Sequence, residues 1–173
     1  MTIRMLLMGL VLLLASPTQA ADQRPLPAFS ARAPSAWINS PPLELAALRG
    51  KVLLIDVWTF DCWNCYRSFP WLKGLEAELA DEAFQVIGVH SPEFDHEQDA
   101  ARVAAKVREF GLRHPVMLDN DFAYWRALGN RYWPSFYLVD KAGQIRFQHV
   151  GETHAGDARA RRIEAQIRQL LDE

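Results

Sequence analysis

The chain has 173 residues, half of them hydrophobic, 23% charged and 11% aromatic, with a formal net charge of −2. At ~100–200 residues per domain this is one globular domain, large enough for a core that needs no staples. The charge balance argues against nucleic acid or an anionic membrane surface as the main partner, and two cysteines exclude a multi-disulfide scaffold and an all-cysteine zinc site.

Residues 1–20 read as an export signal: Arg4, an apolar run from Met5 to Ala15, then Thr18-Gln19-Ala20 at the cleavage positions. The run is shorter than the ~20 residues a helix needs to cross a ~30 Å hydrocarbon core. Cleavage after Ala20 implies a protein with no stable membrane insertion, periplasmic or secreted, in a compartment where disulfides persist. Residues 21–36, with Pro25, Pro27 and Pro34 and no periodicity, are expected to form a loosely ordered tether. Trp37-Ile38-Asn39 and Leu43 to Leu48 suggest a short strand and a turn ending at Gly50.

From Val52 the pattern sharpens. Val52 to Trp58 is a near-continuous apolar run of the kind buried on both faces of a sheet. Cys62 to about Leu79 carries Phe69, Leu72, Leu75 and Leu79 at helical spacing, and Phe84 to His90 reads as a second buried strand. Asp99 to Phe110 predicts a helix with Ala100, Val103, Val107 and Phe110 on one stripe, stopped by Gly111. Val116 to Leu118 is a short strand, and Phe122 to Leu128 a short helix closed by Gly129. Ser135–Val139 and Ile145–Val150 are strands joined by the turn Asp140-Lys141-Ala142-Gly143. Ile163, Ile167, Leu170 and Leu171 mark a final amphipathic helix. The order β-α-β-α-β-α-β-β-α predicts an α/β domain, a central mixed β-sheet flanked by helices, with a parallel β-α-β half and an antiparallel closing hairpin.

Cys62-Trp63-Asn64-Cys65 could be a structural disulfide, half of a metal site or a redox centre. A disulfide closing so short a loop gains little chain-entropy stabilisation, and the five histidines show no ligand spacing to one another. Context favours redox chemistry. Cys62 falls after a buried strand, at the start of a helix, where unpaired N–H groups and the positive dipole end favour a nucleophilic thiolate. Cys65, about one turn on, would face inward within reach of it, placed to resolve a mixed disulfide.

These residues resemble the thioredoxin superfamily. Asp56 lies six residues before Cys62, Trp58 two residues after that acid, Pro70 five residues after Cys65, and Trp133-Pro134 precedes the strand Ser135–Val139. The stretches Val57 to Cys65, His90-Ser91-Pro92-Glu93-Phe94 and Leu118 to Asp121 are similar to the TlpA-like exported thiol–disulfide oxidoreductases, in particular the DipZ-like branch. The resemblance implies a thioredoxin fold over 37–173, with a TlpA-like insert between the second and third strands, Glu93 to Phe110. It also implies a Cys62/Cys65 redox centre without bound cofactor or metal, a cis bond at Pro134, and an acidic residue, Glu93, near the site. Asp56, alone in an apolar strand, is the expected proton acceptor for Cys65. Trp63, between the cysteines, and Trp133 with Pro134 are the expected contacts for a protein substrate that carries a disulfide or cysteines. The expected direction is reductive, which implies a membrane electron donor. Trp63-Asn64 in place of the Gly-Pro of thioredoxin leaves the redox poise open. The alternatives are a disulfide oxidase or isomerase, a copper-delivery module using Cys62, Cys65 and His154, and, less well matched, a thiol peroxidase. The histidines read as surface or internally satisfied residues.

Overall fold

The computed structural model describes residues 24–173; the export-signal reading of 1–20 lies outside the described residues. Seven strands form one mixed sheet: β1 (Arg24–Pro25), β2 (Trp37–Ile38), β3 (Val52–Trp58), β4 (Phe84–His90), β5 (Val116–Leu118), β6 (Ser135–Val139) and β7 (Gln144–Val150). Their spatial order is β1-β7-β6-β3-β4-β5-β2. As expected, β3, β4 and β5 are parallel neighbours, while β6 and β7 form an antiparallel hairpin against β3. Among the described residues four α-helices occur: α1 (Trp63–Glu78), α2 (Ala100–Phe110), α3 (Ala123–Leu128) and α4 (Ala158–Asp172).

The alternation of β3 sorts the core into two layers. Val52, Leu54 and Trp58 face a layer built with Phe69, Leu72 and Leu75 of α1, Val103, Val107 and Phe110 of α2, and Ile163, Ile167 and Leu170 of α4. Leu53, Ile55 and Val57 face the opposite layer, with Tyr124 and Leu128 of α3 and Leu26, Phe29, Trp37 and Leu48 of the N-terminal segment. The helices end where their sequences say they should. Asp99 accepts the N–H groups of Ala101 and Arg102 at the start of α2, and Gly111 and Gly129 close α2 and α3 with φ of 69° and 63°.

The tether expected over 21–36 is corrected for residues 24–36. Arg24 and Pro25 pair with Ile145 and Gln144 of β7, Leu26 donates its N–H to Gly143, and Leu26 and Phe29 are buried. The Phe29 ring meets Trp37 edge-on and stacks on Tyr124. An extended segment needs no helical or alternating period to bury two large side chains, and this one roofs the face that α3 alone is too short to cover.

Candidate active site

The register of the sheet sets the site. Trp58 pairs with His90, His90 with Leu118, and Val57 with Ser135, so the loops leaving β3, β4 and β5 and the loop entering β6 emerge along one edge. Cys62 is the N-cap of α1, in extended conformation, and its Sγ accepts the Cys65 N–H at 3.2 Å. Cys62 and Cys65 form a disulfide with Cα atoms 5.3 Å apart. Cys62 is half-buried, whereas Cys65 is 1% exposed and belongs to the core layer beneath α1. The Sγ that is open to attack is therefore that of Cys62. Trp63 stands out at 66% exposure, stacked on Tyr66.

The Trp133–Pro134 bond is cis. The Trp133 indole does not project outward: it donates its N–H to the Ser91 carbonyl at 3.0 Å and lies against Trp125 with ring centroids 4.3 Å apart. The Trp133 side chain thus braces the entrance to β6 against the loop after β4, and the exposed aromatic beside Pro134 is Tyr132. Asp119 completes the brace, accepting the Ser91 hydroxyl and the N–H groups of Tyr124 and Trp125.

Asp56 faces the same layer as Leu54 and Trp58, beneath α1, and is 1% exposed with neither carboxylate oxygen hydrogen-bonded. Burial pushes its carboxyl up to about 7; the nearby His114 pulls it down and Glu76 pushes it up, both less strongly. A carboxylic acid poised near neutrality, facing the core layer to which Cys65 belongs, is suited to take and return a proton.

Glu93, the acid expected near the site, is exposed on the loop after β4, and it is its backbone N–H that the structure uses. The carboxylate of the insert that turns inward is Glu97, fully buried. It accepts the N–H groups of Glu93 and Phe94, the N–H of Asp61 and the Thr59 hydroxyl. Burial alone would raise its carboxyl, but these four donors outweigh that and hold it below the usual range. Glu97 therefore ties the Thr59–Asp61 turn, immediately ahead of Cys62, to the insert. Thr59 also meets His90 Nε2 at 3.3 Å, and burial holds that imidazole down at about 4, so it is neutral at pH 7. Glu97 and His114 are the polar residues the sequence reading missed. Glu97 sits in an acidic run with Glu93 and Asp95, where composition does not separate the buried acid from its exposed neighbours. His90 and His114 depart from the expectation of surface or satisfied histidines, since each is buried with one ring nitrogen unpartnered.

The Redoxin family model matches residues 21–167. The chain belongs to the Redoxin family. This redoxin is 41% identical over 140 residues to Protein DipZ of Mycobacterium tuberculosis (strain CDC 1551 / Oshkosh), covering 79% of this chain but 19% of that one. It is 26% identical over 152 residues to the thiol-disulfide oxidoreductase YkuV of Bacillus subtilis (strain 168), covering 87% of this chain and 97% of that one. Among solved structures, a thioredoxin-like protein in the oxidized form superposes with a TM-score of 0.72 at 25% identity, covering 87% and 96% of the two chains. The redoxin thus has the thioredoxin fold, with the TlpA-like affinity and the insert between β4 and β5 that the sequence motifs implied. Among the described residues no helix is long and apolar enough to cross a membrane.

Proposed function

We propose that this redoxin is an exported thiol–disulfide oxidoreductase that reduces disulfides in protein substrates through Cys62 and Cys65. The observation that carries this reading is Cys62 at the N-cap of α1, with the Cys65 N–H on its sulfur and its partner sulfur buried behind it. In the reduced protein the Cys62 thiolate attacks a substrate disulfide, forming a mixed disulfide and expelling one substrate thiolate. Cys65 then gives its proton to Asp56 and attacks Cys62, forming the Cys62–Cys65 bond and expelling the second thiolate. Two electrons pass to the substrate, and a membrane electron donor outside this chain restores the dithiol.

Trp63 and Tyr66 on the first turn of α1 and Tyr132 ahead of the cis Pro134 are exposed aromatics, and the strand start at Pro134 is where an extended substrate segment would pair. The apolar run before Ala20 supports export to the periplasm or beyond. A copper-delivery role would draw on His154, but His154 Nε2 is engaged with Glu152.

The test is reduction of insulin by the dithiothreitol-reduced protein, alongside copper binding. Insulin chains separating faster than with dithiothreitol alone support the reading. Tight one-to-one copper loading with no acceleration would replace it with metal delivery.

A further inference from the structure

The proton that Asp56 takes from Cys65 has to leave a group that is fully buried, and the rear of the domain holds a candidate path. Asp56 on β3, Gly88 on β4 and Val116 on β5 form one row of the sheet. Gly88 has no side chain, and what would be its Cβ position lies 2.9 Å from Trp58 Nε1 and 3.3 Å from His114 Nε2. Asp56 Oδ1 and Oδ2, Trp58 Nε1 and His114 Nε2 are all buried without a hydrogen-bond partner. Trp58 Nε1 and His114 Nε2 crowd the Gly88 position and Asp56 is its register partner on β3; four such unpartnered polar atoms are costly in a core unless they serve something.

The other nitrogen of His114 points outward. Its Nδ1 is 3.0 Å from Glu76 Oε2, and the imidazole is 1% exposed while the Glu76 side chain is 24% exposed. A neutral imidazole that donates Nδ1–H to Glu76 presents a lone pair on Nε2, the form that receives a proton from the Asp56 side. Glu76, His114, Arg113 and Gln85 line a cleft of about 200 Å³ where the end of α1 meets the start of β4. Glu76 lies fourteen residues beyond Cys62, roughly 20 Å along the helix at ~1.5 Å per residue. The cleft is therefore remote from the sulfurs.

We propose that His114 and Glu76 relay protons between Asp56 and this rear cleft, so that the proton of Cys65 is exchanged with solvent while substrate covers the front. Asp56–H passes its proton to His114 Nε2 through a water bridging the two otherwise unpartnered groups, and Nδ1–H passes one to Glu76, which releases it to solvent. The reverse sequence reloads Asp56 when the disulfide is reduced. No electrons move along this path. The other charges near it are Arg113 at the cleft, Lys73 of α1 on the Phe110 carbonyl, Glu164 of α4 on the Trp71 indole and Glu78 paired with Arg168. From Asp56 in the row, His114 ahead of β5 and Glu76 on α1 lead from core to surface. The electrostatic influence of both His114 and Glu76 on Asp56 is consistent with that connection. Gly88 leaves the space that Trp58 Nε1 and His114 Nε2 border, since a methyl there would collide with the first and crowd the second. His114 acts through Asp56 and is a positioning and relay residue, not one that touches the sulfurs.

The proposal rests on Asp56 as the proton acceptor, and the experiment separates the two. The mixed disulfide between Cys62 and a small thiol is formed, and the rate of its resolution by Cys65 is followed from pH 5.5 to 9 in the whole protein. His114→Ala should slow resolution roughly tenfold or more near pH 6–7 without changing the rate at which Cys62 first attacks a disulfide. Imidazole added to the solution should restore it, entering from the cleft. Glu76→Gln should shift the pH profile of the same step. His114→Gln, which keeps a polar side chain of similar reach, guards against loss of the fold and should remain slow without imidazole rescue. Resolution slowed in Asp56→Asn but unchanged in both His114 variants would overturn the relay and leave Asp56 standing. Resolution unchanged in Asp56→Asn as well would overturn both.

Discussion

Cys62→Ala should abolish protein disulfide reduction outright, and Cys65→Ala should accumulate a covalent adduct instead. The two outcomes differ because the two sulfurs differ in address. Cys62 lies at the N-cap of α1 and is half-buried, so it is the sulfur a substrate disulfide can reach; Cys65 is buried in the core layer beneath the helix. Removing Cys62 leaves Cys65 without access and drops turnover to the level of the reductant alone. Removing Cys65 leaves attack intact but deletes the thiol that breaks the mixed disulfide, so each protein stops after one event. Intact-mass spectrometry should show a Cys62–substrate adduct that disappears on adding dithiothreitol. Turnover by Cys62→Ala within a factor of two of the parent would mean that the pair is not the reacting centre.

Asp56→Asn should make the protein more stable and slower, and the stability gain should grow with pH. A carboxyl whose pKa is higher folded than unfolded leaves the fold fully stable below the unfolded value, here 3.8, and withdraws that stability as pH rises through the folded value, here about 7. The difference, about three units at ~1.4 kcal/mol each, places the cost of the ionised Asp56 at ~4 kcal/mol above pH 7. The substitution should therefore raise unfolding free energy by about 3–4 kcal/mol at pH 8, and by little near pH 4, with the change spread across pH 4–7. Urea melts at a series of pH values measure this directly. The same variant should lose about a hundredfold in the Cys65-dependent step, within the range expected for removing a positioned base. A flat difference in stability from pH 4 to 8 would mean that Asp56 is not held near neutrality. The pairing of gain and loss is the signature of a group kept in the core for its chemistry, against the preference of the fold.

Much of this was legible in the chain because the signals were local. The apolar, β-branched run Val52 to Trp58 suits a strand buried on both faces, and Asp56 stands out because nothing around it is polar. The cysteines fall where that strand hands over to a helix, which places Cys62 at the cap without any knowledge of tertiary contacts. Pairing directions followed from connection lengths, since the turn Asp140 to Gly143 permits a hairpin and the stretch through α1 requires a crossover.

What was not legible depends on partners distant in sequence. Leu26 and Phe29 look like residues of a loose tether until β7, more than a hundred residues away, supplies an edge for Arg24 and Pro25. Glu97 differs from Glu93 only in that three backbone N–H groups and one hydroxyl converge on it, and convergence leaves no mark in composition. The aromatic expected to greet substrate, Trp133, turns inward because the Ser91 carbonyl and the Trp125 face are there to receive it. His114 is invisible for the same reason: its significance comes from the bare Gly88 and the buried Asp56 on the adjacent strands.

The reduction potential of the Cys62–Cys65 couple tests the central claim most directly. Equilibrating the protein with dithiothreitol redox buffers, and reading the oxidised fraction by mass after thiol alkylation, gives the value. A reversible two-electron couple in the reducing range, near thioredoxin's ~−270 mV, is the result expected of a reductase fed by a membrane donor. A couple near the ~−120 mV of a strong oxidant would contradict the reductive assignment, and a pair that cannot be cycled at all would contradict thiol–disulfide exchange itself.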